Sequence, residues 1–152
     1  MRLILNKEQI LEYQNNYGDF LMIDCATNIN IGKSAEGYKD LDHNLWFFKL
    51  HWPGDPNMPA ALQLESLSQM ASLIILSQET NKKKFMYLVS HQYTVFKKKV
   101  VPGERMNIKT NLIKWKRGVG NFYGEAEVKN TLVCKAEFTM ILPDEVNKFK
   151  LR

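Results

Sequence analysis

The sequence has few cysteines, and they do not form the pattern of a fold held together by disulfide bonds. Of the 152 residues only Cys25 and Cys134 are cysteine, and no Cys/His group has the spacing of metal ligands. A disulfide-stabilised secreted scaffold and a structural metal site are therefore not expected. We interpret both cysteines as small apolar side chains that fill space in the core.

Signals for export or membrane insertion are also lacking. Residues 1–7 have neither the long apolar segment nor the small-residue cleavage site of a signal peptide. The longest apolar run is interrupted by Glu65 and several serines, so a membrane span is not predicted. The 45% hydrophobic and 24% charged residues are typical of globular proteins. The sequence thus predicts one cytoplasmic domain over residues 1–152, with no membrane association.

The charge balance is basic, but no nucleic-acid-binding motif accompanies it. The chain has 21 Lys and Arg against 16 Asp and Glu, for a net charge of +5, with clusters at 82–84, 97–99 and 114–117. Solvated surface charge explains such clusters in general, and attraction of an acidic partner is the alternative. Nucleic acid is not expected as a partner.

Hydrophobic periodicity separates one buried helix from a set of strands. From Ala60 to about Ser77 apolar residues recur every three or four positions and leave little polar surface, which is typical of a buried helix. Segments 106–112, 122–128 and 132–140 alternate apolar and polar side chains and are joined by short turns. This order predicts an α+β fold in which an antiparallel β-sheet wraps around a long central helix.

The chain on either side of this helix is predicted to add further strands and one short helix. Residues 7–13 suit a helix with Asn6 as its N-cap. Residues 20–26 are predicted to form a strand, and 28–39 continue as strand-like chain. After the central helix, segments 85–90 and 93–96 are also predicted to be strands.

The strongest functional signal is a histidine on a loop shaped by proline and glycine, followed by a carboxylate inside the apolar helix. The segment from His51 to Ala60 reads His-Trp-Pro-Gly-Asp-Pro-Asn-Met-Pro-Ala, and Glu65 follows in the helix. A carboxyl group in apolar surroundings costs free energy unless it has a partner or a chemical task. Because imidazole and carboxyl groups commonly share proton transfer near neutral pH, the pattern predicts acid–base catalysis.

This motif resembles the 3-hydroxyacyl-[acyl-carrier-protein] dehydratases of fatty-acid synthesis, which have the hot-dog fold. The match consists of His-aromatic-Pro-Gly-Asp-Pro, then Met-Pro, then a Glu fourteen residues after the His. Residues 18–24 resemble the family's first strand, and residues 96–104 resemble its Phe-basic-basic-x-Val-x-Pro-Gly-acid segment. The resemblance extends over about residues 8–142. A Glu rather than an Asp in the helix is typical of the branch that dehydrates without isomerising.

The resemblance implies a role for each residue of the motif. His51 would be the base that removes a proton from C2, and Glu65 the acid that protonates the leaving hydroxyl. Gly54, Ala60 and Gln69 would bind substrate, with the Ala60 backbone N–H facing the thioester oxygen and Gln69 orienting the Glu65 carboxyl. Hydrogen bonding between helix and sheet explains Gln69 nearly as well. In the family, the His of one subunit works with the Glu of the other across a two-fold interface.

The implied reaction converts a (3R)-3-hydroxyacyl chain on acyl carrier protein to the trans-2-enoyl thioester, with no metal or other cofactor. Lys97, Lys98 and Lys99 are predicted to meet the acidic carrier protein, and the expected assembly is a homodimer or a trimer of dimers. Two other functions stay open. One is a hot-dog acyl thioesterase, and the other is a non-catalytic hot-dog module that binds acyl chains.

Two positions depart from the family pattern near the predicted site. Ala60 and Leu50 stand where the family usually has glycine. At residue 60 the backbone donor is retained, and the added methyl group narrows the pocket. These differences concern the substrate more than the chemistry, and they indicate a specialised relative.

Overall fold

Residues 2–150, which the computed structural model describes, form one antiparallel sheet with a long helix packed against it. The strands are β1 (Arg2–Asn6), β2 (Cys25–Asn30), β3 (Ser34–Asp40), β4 (Tyr87–Phe96), β5 (Arg105–Lys116), β6 (Val119–Val128) and β7 (Thr131–Ile141). The helices are α1 (Lys7–Ile10), α2 (Trp46–Leu50), α3 (Ala60–Leu76) and α4 (Pro143–Val146). The strand order is β1-β2-β3-β5-β6-β7-β4.

The central helix α3 is buried along most of its length, as its periodicity predicts. From Gln63 to Leu76 every residue is buried except Glu65. The helix contacts β2, β3, β5, β6 and β7, so the sheet covers it from several sides. The contact is close: a Cβ atom added at Gly37 would lie 2.6 Å from Met70 Cε. The predicted α+β architecture, a sheet wrapped around one long helix as in the hot-dog fold, is confirmed.

The predicted meander of β5, β6 and β7 is also confirmed, and its inner face forms much of the core. Phe122 and Phe138 lie opposite each other on β6 and β7, and their rings stack with centroids 5.8 Å apart. Cys134 on β7 is 1% exposed, and burial raises the pKa of its thiol to about 12. The thiol therefore stays protonated at neutral pH and fills space, as expected from the sequence. Cys25 is half-buried and also free.

The segment before β2 differs from the prediction. The strand begins at Cys25 rather than at residue 20, and Gly18–Phe20 forms a single 3-10 turn. Residues 21–23 are buried in the core. Their apolar side chains reflect this burial and not pairing with another strand, which is why the sequence pattern resembled a strand. The Met22 N–H donates to the side chain of Gln69, 2.8 Å away, rather than to a neighbouring strand.

Several other boundaries follow from tertiary contacts. β1 was not predicted and pairs with β2, while the strand-like chain over 28–39 divides into the hairpin of β2 and β3. The short helix ends at Ile10 and has the expected Asn6 cap. The two strands predicted over 85–96 are one strand, β4, with a register shift between Gln92 and Val95. Within residues 2–150, no helix is long and apolar enough to cross a membrane.

Strand β4 forms an exposed and apolar edge of the sheet. It stands last in the strand order, and β7 is its neighbour. Nine of its ten residues are exposed. Exposed apolar side chains on and just before the strand are Phe85, Tyr87, Leu88, Val89, Tyr93, Val95 and Phe96. A long apolar edge of this kind is a template for pairing with another chain.

Candidate active site

Glu65 lies in the wall of a cavity of about 180 Å³, and its own helix holds its carboxylate. Gln69 Nε2 donates to Oε1 at 2.8 Å. Ser68 Oγ lies 3.3 Å from Oε2 and 3.0 Å from the Glu65 backbone carbonyl oxygen, which is the nearer acceptor for its single hydrogen. Residues three and four positions apart share one face of a helix, so α3 supplies both contacts. The carboxylate is half-buried and held in one orientation towards the cavity.

Gln69 joins this carboxylate to the chain before β2. Its Oε1 accepts the Met22 N–H at 2.8 Å, and its Nε2 donates to the Phe20 carbonyl at 2.9 Å as well as to Glu65. The side chain is 3% exposed. One amide thus contacts the predicted acid and also ties α3 to the neighbouring segment, so both interpretations of this residue have a structural basis.

We expect Gln69→Leu to lower the free energy of unfolding by about 2–4 kcal/mol, because it leaves the buried Met22 N–H and the partly buried Phe20 carbonyl without their partner. Urea denaturation followed by circular dichroism measures the change. Ser66→Ala is the matched control, since Ser66 is buried on the same helix but its side chain bonds, within residues 2–150, only to the Leu62 carbonyl. The control is expected to cost less than about 1 kcal/mol. Equal losses in the two variants would contradict the bridging role.

His51 lies in a second cavity, of about 420 Å³, on the loop between α2 and α3. Its Nδ1 is 3.0 Å from the backbone carbonyl oxygen of Asn57. A carbonyl can only accept, so Nδ1 carries the hydrogen of the neutral ring and Nε2 is left as the basic nitrogen. Trp52 stacks on the imidazole, with ring centroids 4.7 Å apart and planes 19° from parallel. Both the tautomer and the ring plane are therefore held.

The loop that carries His51 is held in place by hydrogen bonds within the loop and by one to Val100. Trp52 has a left-handed backbone, with φ of 54°, which is strained for a bulky residue. The Asp55 N–H donates to the Trp52 carbonyl at 2.7 Å, and the Asn57 side chain donates to the Asp55 carbonyl at 2.7 Å. The Met58 N–H donates to the Val100 carbonyl at 2.8 Å. These bonds keep the Asn57 carbonyl directed at the imidazole.

Of the remaining predicted site residues, four line the His51 cavity and one does not. Ala60, the first residue of α3, lines the His51 cavity, and the first N–H groups of a helix have no partner within it. Lys97, Lys98 and Lys99 line the same cavity, and Lys99 also forms an ion pair with Asp55. Gly54 is exposed on the loop, and it lines neither of the two cavities formed by residues 2–150.

Within one chain, His51 and Glu65 line different cavities. The two cavities lie at opposite ends of β4. Phe85 and Met86 just before the strand and Leu88 near its beginning line the Glu65 cavity, whereas Phe96 at its end lines the His51 cavity.

Some residues of these cavities were missed by the sequence analysis. Ser68 could have been found, because it lies three residues after Glu65 in the predicted helix. Asn57 acts through its backbone carbonyl and therefore has no side-chain signal. Gln14 and Ser72 meet only in the folded chain, where Ser72 Oγ donates to Gln14 Oε1 at 3.0 Å. In the part of the chain that the structure describes, no three His, Cys, Asp or Glu side chains gather where they could hold a metal ion.

Comparison with known sequences decides the family. The profile described as a FabA-like domain matches residues 15–137, which contain the His51 loop and the whole of α3. The chain belongs to the FabA-like family. The 3-hydroxyacyl-[acyl-carrier-protein] dehydratase FabZ of Bacillus subtilis (strain 168) is 32% identical over 139 residues, covering 91% of this chain and 99% of that protein. The FabZ of Clostridium botulinum (strain Loch Maree / Type A3) is 39% identical over 125 residues, covering 81% and 85%.

Solved structures similar to this FabA-like chain confirm the fold. The dehydratase heterocomplex ApeI:P from Xenorhabdus doucetiae superposes with a TM-score of 0.77 at 12% identity, covering 94% of this chain and 97% of that one. A hypothetical thioesterase with coenzyme A from Streptococcus pneumoniae TIGR4 gives a TM-score of 0.58 at 13% identity, covering 74% and 80%. Because proteins with different names share this architecture, the fold by itself does not choose the reaction.

Proposed function

We propose that this FabA-like protein dehydrates 3-hydroxyacyl chains bound as thioesters to acyl carrier protein, giving the trans-2-enoyl thioester and water. Relatives named for this reaction align over nearly the whole chain. The chain also has an imidazole whose Nδ1 is held by a backbone carbonyl and a carboxyl group that Gln69 holds in place. The observation that carries the proposal is the placement of these two groups at opposite ends of one exposed edge strand.

A two-fold dimer built on β4 would bring the two groups together. If β4 pairs antiparallel with β4 of a second copy, the beginning of one strand lies beside the end of the other. The Glu65 cavity of each copy then adjoins the His51 cavity of its partner. The exposed apolar side chains of β4 would be covered by the same contact. We therefore propose a homodimer as the smallest complete unit, with two composite sites.

Each group then has one step in the reaction. His51 Nε2 removes a proton from C2, and the negative charge that develops on the thioester oxygen is met by the Ala60 N–H at the positive end of α3. Glu65 gives its proton to the C3 hydroxyl, which leaves as water while the C2–C3 double bond forms. A positioned acid or base contributes about 10²–10⁴-fold in rate, and one such backbone donor about 3 kcal/mol. The proton on His51 returns to Glu65 through solvent.

The test of this function is the product formed from a carrier-bound substrate. Purified protein is incubated with a (3R)-3-hydroxyacyl-carrier thioester, and the carrier is analysed by intact mass spectrometry. We expect the loss of one water from the acyl chain, with the chain still attached. Release of the free acid would support the thioesterase alternative. An unchanged substrate would support a non-catalytic acyl-binding module.

The lysines beside the His51 cavity are proposed to receive the acidic carrier protein. Lys97 and Lys98 are the better candidates because the Lys99 ammonium is already paired with Asp55. We expect Lys97→Glu/Lys98→Glu to raise KM for a carrier-bound substrate by about tenfold and to leave kcat nearly unchanged, since opposite charges would become like charges. Initial rates at several substrate concentrations measure both constants.

Two comparisons separate carrier docking from a general charge effect. Lys114→Glu/Lys116→Glu changes the net charge equally at another basic cluster, and it is expected to leave KM unchanged. A short pantetheine thioester lacks the acidic carrier, so its KM is expected to be the same in all three proteins. If the control pair raised KM as much as the test pair, the docking assignment would be wrong.

We also place the reaction in the cytoplasm. Cys25 and Cys134 are both free thiols in the structure. Unpaired thiols agree with a reducing compartment.

A further inference from the structure

We infer that Lys39 and Asp24 are positioning residues for the acid Glu65, because their ion pair fixes the chain before β2, which in turn fixes Gln69. This role rests on the proposed function, since it matters only if Glu65 donates a proton to the leaving group. The link runs from β3 through residues 20–24 to the carboxyl group on α3.

Lys39 is a charged residue on the inner face of the sheet. Ala35 and Gly37, at alternate positions of the same strand, are buried on that face. Lys39 is 4% exposed, and its Nζ donates to Asp24 Oδ1 at 3.0 Å and to the Leu21 carbonyl at 3.4 Å. Burying an ammonium group costs free energy, and an apolar residue of similar size is often as stable at such a position. Stability alone therefore does not explain this charge, whereas the contacts that it makes do.

Asp24 connects the Lys39 ammonium group to the backbone of β3. Its Oδ2 accepts the Asp40 N–H at 2.8 Å, and its own N–H donates to the Tyr38 carbonyl at 2.9 Å. Both carboxylate oxygens are thus engaged, one by an ammonium group and one by a backbone N–H. Together with the ammonium contacts, these bonds fix residues 21–24 against β3.

The same segment holds Gln69 from its other side. The Met22 N–H donates to Gln69 Oε1 at 2.8 Å, and the Phe20 carbonyl accepts from Nε2 at 2.9 Å. Because a backbone N–H only donates and a carbonyl only accepts, these two bonds fix which way round the amide lies. The second hydrogen of Nε2 is then available for Glu65 Oε1, 2.8 Å away. A shift of residues 20–24 would move the amide and, with it, the carboxyl group that the amide holds.

The amide decides where the acid carries its proton. Since Gln69 Nε2 donates to Glu65 Oε1, the proton of the carboxylic acid belongs on Oε2. If the amide moved away, the carboxyl group could turn and carry the proton on either oxygen. A misplacement of about 1 Å can cost about 100-fold in rate. We expect such a change to slow protonation of the leaving hydroxyl and to spare proton removal by His51.

The test variant is Lys39→Met, which keeps an unbranched side chain and removes its charge. Asp24 keeps the Asp40 N–H and the ammonium group of Lys7, which is 3.7 Å away, so its charge is not left unpaired. We expect kcat for dehydration of a carrier-bound 3-hydroxyacyl chain to fall by about 10- to 100-fold, with little change in KM. Initial rates at several substrate concentrations measure both constants, and circular dichroism checks the fold.

A second substrate distinguishes a misplaced acid from general damage to the site. A 3-chloroacyl thioester of the same length loses its C2 proton to His51 and expels chloride with the electron pair of the C3–Cl bond, giving the same enoyl product. Chloride is a stable anion and needs no proton from Glu65 to leave. We expect Lys39→Met to change this rate by less than about twofold, once the uncatalysed elimination is subtracted, because only the acid is affected.

Two further proteins show that the effect passes through Gln69. Lys7→Met is the matched control, since Lys7 contacts the same Asp24 oxygen but is 56% exposed, and it should leave both rates unchanged. In the Gln69→Leu protein the link is already broken. Adding Lys39→Met to that protein should therefore lower dehydration by less than about twofold more, because the two residues act in series.

Each other outcome has a definite meaning. If Lys39→Met folded and dehydrated at the unaltered rate, the positioning role would be wrong and the proposed function would stand. Equal losses of dehydration and chloride elimination would also overturn it, because a merely structural defect slows both. If Lys39→Met failed to fold, the variant Lys39→Met/Asp24→Asn, which removes both charges, would take its place.

Failure of the double variant to fold as well would make the pair a requirement for folding, and the inference would be wrong. An unaltered protein that dehydrates no carrier-bound substrate would remove the proposed function itself, and this role with it.

Discussion

Replacement of His51 by alanine is expected to lower kcat for dehydration by about 10²–10⁴-fold, with a much smaller change in KM. In the structure the Nδ1 of His51 is hydrogen-bonded to the Asn57 carbonyl, so Nε2 is the nitrogen that can take the C2 proton. Removing the ring deletes the proposed base but leaves the cavity and the α3 N-terminus in place. Single-turnover assays with a carrier-bound 3-hydroxyacyl substrate would measure the chemical step directly.

The control for this variant is another histidine outside both cavities. His43 is exposed on the loop before α2, and His43→Ala is expected to keep the full rate. Circular dichroism and thermal unfolding of both variants should match the unaltered protein closely. A His51→Ala protein that folds and retains more than about a tenth of the rate would argue against an essential base at this position.

Mixing two inactive variants is expected to restore activity. In a mixed dimer of His51→Ala and Glu65→Gln, one composite site has lost both groups and the other has kept both. Random reassociation of equal amounts makes half of the dimers mixed, so about one quarter of the unaltered activity should return. Each variant alone should stay nearly inactive. Dehydration rates before and after subunit exchange in mild denaturant provide the measurement.

The matched control is exchange of either variant with the double variant His51→Ala/Glu65→Gln. No dimer in that mixture contains an intact site, so no activity should return. Co-purification through two different affinity tags confirms that mixed dimers have formed. Mixed dimers without recovered activity would place His51 and Glu65 in sites that do not join across the interface.

These expectations depend on how the chain holds its two proton-transferring groups. Glu65 is oriented by Ser68 and Gln69 from the next turn of its own helix. His51 is oriented by a backbone carbonyl of a loop that includes the strained backbone of Trp52. Neither arrangement needs the second copy to form. What the single chain lacks is the closeness of the two groups, which lie in separate cavities.

The parts of the fold that were predicted correctly are those with strong local periodicity. The central helix and the β5–β7 meander repeat their apolar residues over many positions, so each element is specified by its own residues. The chain over residues 20–24 was misassigned because it is apolar and buried while its Met22 N–H is bonded to Gln69 on α3. A partner 47 residues away leaves no mark on local periodicity.

The sequence by itself determined the FabA-like motif, the buried helix and the identity of the proposed acid and base, because each depends on residue type and short spacing. Only the tertiary structure decided that His51 and Glu65 face separate cavities at the two ends of β4, and that Gln14 meets Ser72. The reason is physical: cavity walls and edge strands are made from distant segments, and their contacts arise only when the sheet closes around the helix.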